Sequence, residues 1–254
     1  MPGGPTAGGG APGGGGMRGA SEGVEPKSVM AVTLVTLGAG ACRRPGRQTR
    51  RMGFFDRNRK QLIERGLDPE RLPPGQYLTD RFPVLHVGDV PHYEPGAWDL
   101  TITGAVERPF TIGLDELRQM ASVTLTFDIH CVTKWSKFDT TWTGVRVRDL
   151  LERAGVRAGA THVVEHAEYG YTTNLPLADI TTDDAIVAFA YEGEEIEPIH
   201  GGPVRIVVPH LYFWKSAKWV RALEVLDHDQ AGFWERNGYH MYGDPFREQR
   251  HWGD

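Results

Sequence analysis

The run Val123–Ser136, Val-Thr-Leu-Thr-Phe-Asp-Ile-His-Cys-Val-Thr-Lys-Trp-Ser, places the tightest constraint on what this chain can fold into. Val123, Leu125, Phe127 and Ile129 alternate with Thr124, Thr126, Asp128 and His130, and a period of two reads as a strand with one buried face. Cys131 keeps the parity of the apolar set, so its sulfur is expected to point inward where the strand gives way to a turn of Thr, Lys, Trp and Ser. Segments that leave a rigid element in this way carry many ligand-binding side chains. The strand pattern alone favours a plainer alternative, a free buried cysteine serving as a small apolar side chain.

Composition narrows the partners. With 254 residues, 40% hydrophobic and 24% charged, the chain is long enough to bury a sizeable core and reads as globular. A net charge of -5 gives no overall attraction to nucleic acid or an anionic membrane, so any positive potential has to be local. Two cysteines, Cys42 and Cys131, make no disulfide framework and fit a reducing compartment. There is no CxxC, HExxH, GxGxxG, P-loop or GxSxG, which removes the common zinc, dinucleotide, nucleotide and serine-hydrolase readings.

Residues 1 to 52 form a Gly/Pro/Ala-rich run, a short apolar patch at Val29–Ala41, then Cys42 and a basic cluster from Arg43 to Arg51. Such a composition does not build a core. An export signal places its basic residues before the apolar stretch, whereas here they follow it, and the patch is too short to span a bilayer. Ala39-Gly-Ala-Cys42 lacks the larger aliphatic residue of a lipoprotein signal. The expectation is a disordered leader over 1–52, a true start near Met52, one domain over 53–254 and a cytoplasmic protein.

Beyond the leader, a short exposed helix is expected from Asp56 to Gly66, followed by a Pro-rich irregular stretch through Phe82-Pro-Val-Leu-His86. Trp98–Gly104 alternates as a strand, and Leu114, Leu117 and Met120 recur at helical spacing. Gly144–Leu151 leads into a helix stopped by Gly155. His162–Glu168 and Tyr171–Leu175 read as a hairpin, Ala185–Tyr191 as a strand, and Glu192–Glu197 as a solvated turn. A buried strand, Val204–Val208, is bracketed by prolines and leads to a Lys-Ser-Ala-Lys loop and a further strand around Leu223 and Val225. The aromatic segment Phe233–Tyr242 is expected to pack back on the body. Short strands interrupted by short helices, without strict alternation, imply an α+β fold with mixed β-sheets.

An inward thiol suits a soft transition metal, and an Arg with a Lys, here Arg205 and Lys218, suits a phosphate. From about Tyr77 onward the chain resembles the sulfite oxidase superfamily of molybdopterin-dependent oxidoreductases, in particular its short bacterial members related to the protein-methionine-sulfoxide reductase catalytic subunit. Cys131-Val-Thr-Lys-Trp-Ser136 is similar to the metal-ligating segment, Cys-Val-x-x-Trp-Ser in the reductases. His200-Gly-Gly-Pro-Val-Arg205-Ile-Val-Val-Pro209 is similar to the pterin-binding strand, and Ser216, Ala217 and Lys218 fall where members contact the cofactor's phosphate end. Phe82 and His86 match an earlier cofactor-facing segment, His166 aligns with a cofactor-contacting Thr, and Tyr239 matches an active-site tyrosine.

The resemblance implies a Mo-molybdopterin cofactor with Cys131 as metal ligand, and two-electron oxygen-atom transfer. Lys134, beside Cys131, is expected to lower the thiol pKa before metallation. Sulfite oxidases carry an arginine five residues after the cysteine to grip the anion, and Ser136 stands there instead. The resemblance therefore points to reduction of an S-oxide or N-oxide, small or protein-borne. No haem-attachment motif is present, so a separate flavin, haem or iron–sulfur protein is expected to carry electrons. Sulfite-type oxidation, a non-catalytic molybdopterin-binding protein and a binding module with a structural cysteine are the alternatives.

Overall fold

The computed structural model describes residues 54–94 and 96–254, so the expectations for the leader, Cys42 and Met52 lie outside the described residues. In chain order the elements are α1 (Phe54–Glu64), β1 (Tyr77–Leu78), β2 (Asp99–Gly104), β3 (Phe110–Gly113), α2 (Leu114–Gln119) and β4 (Val123–His130). Next come β5 (Trp135–Arg146), α3 (Val147–Ala154), β6 (His162–Ala167), β7 (Thr172–Pro176), α4 (Leu177–Ile180) and β8 (Ile186–Tyr191). The series ends with β9 (Glu194–Glu195), β10 (Arg205–Val207), β11 (Val220–Leu226) and α5 (Phe233–Arg236).

The strands form two mixed sheets. In the first, β5 runs antiparallel to both β4 and β8, β10 lies beyond β8, β9 adds to β8, and β1 pairs in parallel with Trp135 and Ser136. The second has the order β3-β2-β11-β6-β7, with β11 parallel to β2 and every other pair antiparallel. This is the α+β arrangement with few, short helices that the element order implied. The hairpin β6–β7, the strand β8 and the buried β10 fall where their sequence patterns put them. Glu192–Glu197, read as a turn, contributes the two-residue β9.

A large aliphatic core contains Leu100, Ile102, Leu223 and Val225 of the second sheet together with Val145, Val187 and Ile206 of the first. Each such side chain taken fully from water contributes roughly 1.5–3 kcal/mol. Val147, Leu150, Leu151 and Ala154 of α3 are all buried, and their spacing puts them on one face of the helix. The helix ends where Gly155 adopts φ 71 and its N–H returns to the carbonyls of Leu151 and Glu152, a left-handed cap that glycine takes without a Cβ penalty.

A second, aromatic cluster gathers Ile129, Cys131, Trp135, Trp142, Val207 and Phe213. Ile129 and Cys131 share it, as their parity required. His130 does not stay on the solvent side, however. It keeps the face opposite Cys131, but that face is covered here, and His130 is buried with its Nδ1 2.9 Å from Ser136 Oγ and its ring edge-on to Phe246.

Candidate active site

Cys131 sits in a tight turn between β4 and β5. Its N–H donates to the Trp135 carbonyl (2.8 Å), and the Lys134 N–H donates to the Cys131 carbonyl (2.9 Å). Lys134 meets the turn's geometry at φ 78, and its side chain is exposed. The thiol opens into a cleft of about 310 Å³. Burial pushes its pKa up, and the Thr133 hydroxyl at 3.1 Å pulls it down, followed by the charges of Arg250 and Lys218. Lys134, expected to supply this field, is not among the groups that do so.

The facing wall is built by β10 and the loop after it. Arg205 is buried, and it donates from Nη1 to the His200 carbonyl (2.7 Å) and from Nη2 to the Ser216 carbonyl (2.9 Å). Its guanidinium lies 4.1 Å from the centroid of the Phe213 ring, and burial lowers its pKa to about 9. Arg205 thus holds two backbone segments together while lining the cleft. Lys218 lines the same wall and donates to the Ile199 carbonyl (2.8 Å). Desolvation, then the neighbouring Arg205, lowers its pKa to about 7.

Beneath that loop lie charged groups that the sequence did not single out. Glu165 is fully buried and accepts from the Ala217 N–H (2.8 Å), so this amide is already engaged. Desolvation raises Glu165 to about 8. Lys215 pairs with Glu235 at 2.6 Å, both shut off from solvent, and Glu235 also accepts from Trp214 Nε1 (2.9 Å). These contacts fix the Lys-Ser-Ala-Lys loop from below. The sequence signal for Glu165 is a carboxylate set in an otherwise apolar strand, whereas Lys215 and Glu235 lie in a turn and a short helix with no such pattern.

The third side is aromatic. Tyr239 stacks on Trp234 with ring centroids 4.9 Å apart and meets Trp214 edge-on at 5.1 Å. Burial, and then the Cys131 sulfur, raise the pKa of its phenol. Phe82 and His86 close the cleft on the side of the Pro-rich stretch.

Of the residues picked from the sequence, Phe82, His86, Cys131, Arg205, Ser216, Ala217, Lys218 and Tyr239 line one cleft. His200 lies one layer behind, its ring stacked 4.1 Å from that of Phe82. His166 does not reach the cleft. Strand alternation turns it to the other face of β6, where its Nε2 lies 2.8 Å from Glu224, and the neighbouring Glu165 takes the inward position. Ser136 also faces away, toward His130.

A soft sulfur donor opposite two cations, between aromatic walls, defines a site for a thiophilic metal carried by an anionic organic ligand. The family model for the oxidoreductase molybdopterin binding domain matches residues 87–234. Uncharacterized oxidoreductase YuiH of Bacillus subtilis is 49% identical over 181 residues, 71% of this chain and 91% of that one. The protein-methionine-sulfoxide reductase catalytic subunit MsrP of Gluconobacter oxydans is 28% identical over 208 residues, 67% of this chain and 66% of that protein. The crystal structure of the sulfane dehydrogenase SoxCD from Paracoccus pantotrophus matches with a TM-score of 0.55 at 22% identity, over 61% of this chain and 44% of that one, a likeness of fold. The chain belongs to the sulfite oxidase-type family of molybdopterin-dependent oxidoreductases.

The residues present fit the Mo-molybdopterin cofactor. Cys131 offers the thiolate, Lys218 and Arg205 offer positive charge, and two buried ring nitrogens, Trp135 Nε1 and His200 Nδ1, have no hydrogen-bond partner among the described residues. Buried polar atoms of that kind normally find a partner.

Proposed function

We propose that this enzyme removes an oxygen atom from an S-oxide or N-oxide, with electrons delivered by a separate flavin, haem or iron–sulfur protein in the cytoplasm. The sulfur–oxygen or nitrogen–oxygen bond breaks, two electrons and two protons are taken up, and the products are the sulfide or amine and one water. When bound, the molybdenum centre supplies the oxygen-atom acceptance and the two-electron redox change. Cys131 holds the metal, Lys218 and Arg205 hold the anionic end of the pterin, and Tyr239 presents its hydroxyl beside the thiol to the oxygen of the substrate. Trp214, Trp219 and Trp234 line the same cleft and would shield the reacting group from water.

The observation that carries this reading is that, among the described residues lining the cleft, Arg205 is the one guanidinium, and the anionic end of the pterin already takes it. Position 136, where sulfite oxidases carry a further arginine, bears a serine turned toward His130. A missing charge-assisted contact is worth about 1.5–3 kcal/mol to an anion and little to a neutral sulfoxide. The name of the 28% identical relative, a methionine-sulfoxide reductase, agrees. Side-by-side assays with artificial electron donors and acceptors test the direction. Sulfoxide or N-oxide reduction is expected, and efficient sulfite oxidation with no reduction of either would overturn it. Recovery of the native protein from outside the cell membrane would overturn the cytoplasmic placement.

A further inference from the structure

The segment that follows Tyr239 returns to the back of the Cys131 turn, and Arg250 is the residue that makes the connection. Its Nη1 donates to the Val132 carbonyl (2.8 Å), inside the turn, and its Nη2 to the Pro74 carbonyl (3.2 Å) in the Pro-rich stretch. The guanidinium lies 5.0 Å from the centroid of the Tyr212 ring, and the residue is 9% exposed. Gly75 permits the approach. Its φ is 75, and a Cβ there would meet Arg250 Nη2 at 2.9 Å and Glu248 Oε1 at 2.6 Å. Gln76 adds a parallel tie, donating from Nε2 to the Cys131 carbonyl (3.1 Å).

The same segment is registered against Tyr239. His251 bridges Tyr239, the His240 N–H donates to the Arg250 carbonyl (3.2 Å), and the Trp252 N–H donates to the Gly238 carbonyl (3.0 Å). Asp254 locks the corner by accepting from the N–H groups of Arg250 (3.0 Å) and His251 (2.6 Å). One short piece of backbone therefore contacts the turn that carries the thiol through Arg250 and the residue that carries the phenol through His251. These residues lie beyond the 87–234 match to the family model.

We propose that Arg250 is a positioning residue, bracing the Cys131 turn and setting the thiolate at a fixed distance from Tyr239. The proposal rests on the reading of Cys131 and Tyr239 as the reacting pair, and it assigns Arg250 no contact with substrate. A planar fork suits the task, because it donates to two carbonyls from separate segments at once, which an ammonium does less well. Its charge also reaches the thiol, and a cation near a metal centre favours the reduced state.

Amide hydrogen exchange on metal-free protein tests the brace independently of the metal. In Arg250→Gln the amides of Cys131, Lys134 and Tyr77, all hydrogen-bonded within or onto the turn, are expected to exchange at least about tenfold faster, while those of Leu223 and Val163 keep their native rates. In the metal-loaded variant kcat should fall with KM within about twofold, the Mo(V) resonance should change shape, and the reduction potential should move lower. Arg250→Lys should restore the potential and not the slow exchange. If Arg250→Gln does not accumulate as folded protein, the exchange rates of Arg250→Lys decide. Native exchange at the three amides, or an unaltered Mo(V) signal with native kcat, would overturn the proposal. Wild-type protein lacking molybdenum would instead sink the reading of Cys131 as a metal ligand, with the exchange rates still deciding whether Arg250 braces the turn.

Discussion

The two hydrophobic clusters differ in what they are made of and in what they leave unfinished. The aliphatic one between the sheets takes Leu, Ile and Val from both sheets and α3, nearly all shut off from solvent. The aromatic one takes Trp135, Trp142 and Phe213, has Arg205 lying against the Phe213 ring, and exposes Cys131 at its rim. Close-packed aliphatic side chains satisfy one another completely. Aromatic rings with a buried guanidinium, a thiol and ring nitrogens that have no partner among the described residues do not, and on the function proposed above the cofactor would complete them. The first cluster holds the fold together, whereas the second opens onto the cleft where the proposed cofactor would bind.

The strongest way to break this contrast is at the thiol. Cys131→Ala should abolish turnover in steady-state assays and strip the bound molybdenum, while the denaturation midpoint reports a loss of no more than about 1–2 kcal/mol. Full activity with a full metal complement would return Cys131 to the role of a small apolar side chain.

The reverse experiment is Ile102→Ala in the aliphatic cluster. It should cost about 2–5 kcal/mol in chemical denaturation and leave the molybdenum content and Mo(V) spectrum of the folded fraction native. A spectral change there would mean that the two clusters are coupled.

A smaller effect is expected from Tyr239→Phe. Losing one hydroxyl aimed at the reacting oxygen should lower kcat on the order of a hundredfold while the substrate Kd changes by less than about threefold. Equal losses in both would make Tyr239 a binding residue.

The last prediction concerns the buried charged groups beneath the Lys-Ser-Ala-Lys loop. Burial raises Glu165 from 4.5 to about 8, so across that window the folded chain keeps a proton that the unfolded chain has released. Its contribution to stability is present at low pH and is lost as pH rises through about 8. Glu165→Gln keeps an acceptor for the Ala217 N–H and should flatten this dependence, so that its stability relative to wild type improves between pH 5 and 8.5. Parallel curves for the two proteins would show that Glu165 does not titrate in that range.

Local sequence by itself determined a good part of this protein. The alternation from Val123 to Ile129 placed Cys131 on the inward side of a strand end, Gly155 stopped α3, and proline and glycine bracketed the strand that carries Arg205. These outcomes depend on neighbours a few residues apart, where side-chain periodicity and backbone φ leave few choices. The long strand β5 was harder to see, because Trp135–Arg146 mixes buried and exposed positions without a clean period.

Only the tertiary structure decided which side chains meet at the cleft. It turned Ser136 away toward His130, gave the inward place on β6 to Glu165 in place of His166, and engaged the Ala217 amide before any ligand arrives. It also drew the cation beside Cys131 from Arg250, 118 positions beyond the Val132 carbonyl that it holds, and not from the adjacent Lys134. A strand's period of two settles which face a residue occupies, and the rest of the fold decides what covers that face. Fields and hydrogen bonds follow distance in space, which sequence separation does not measure.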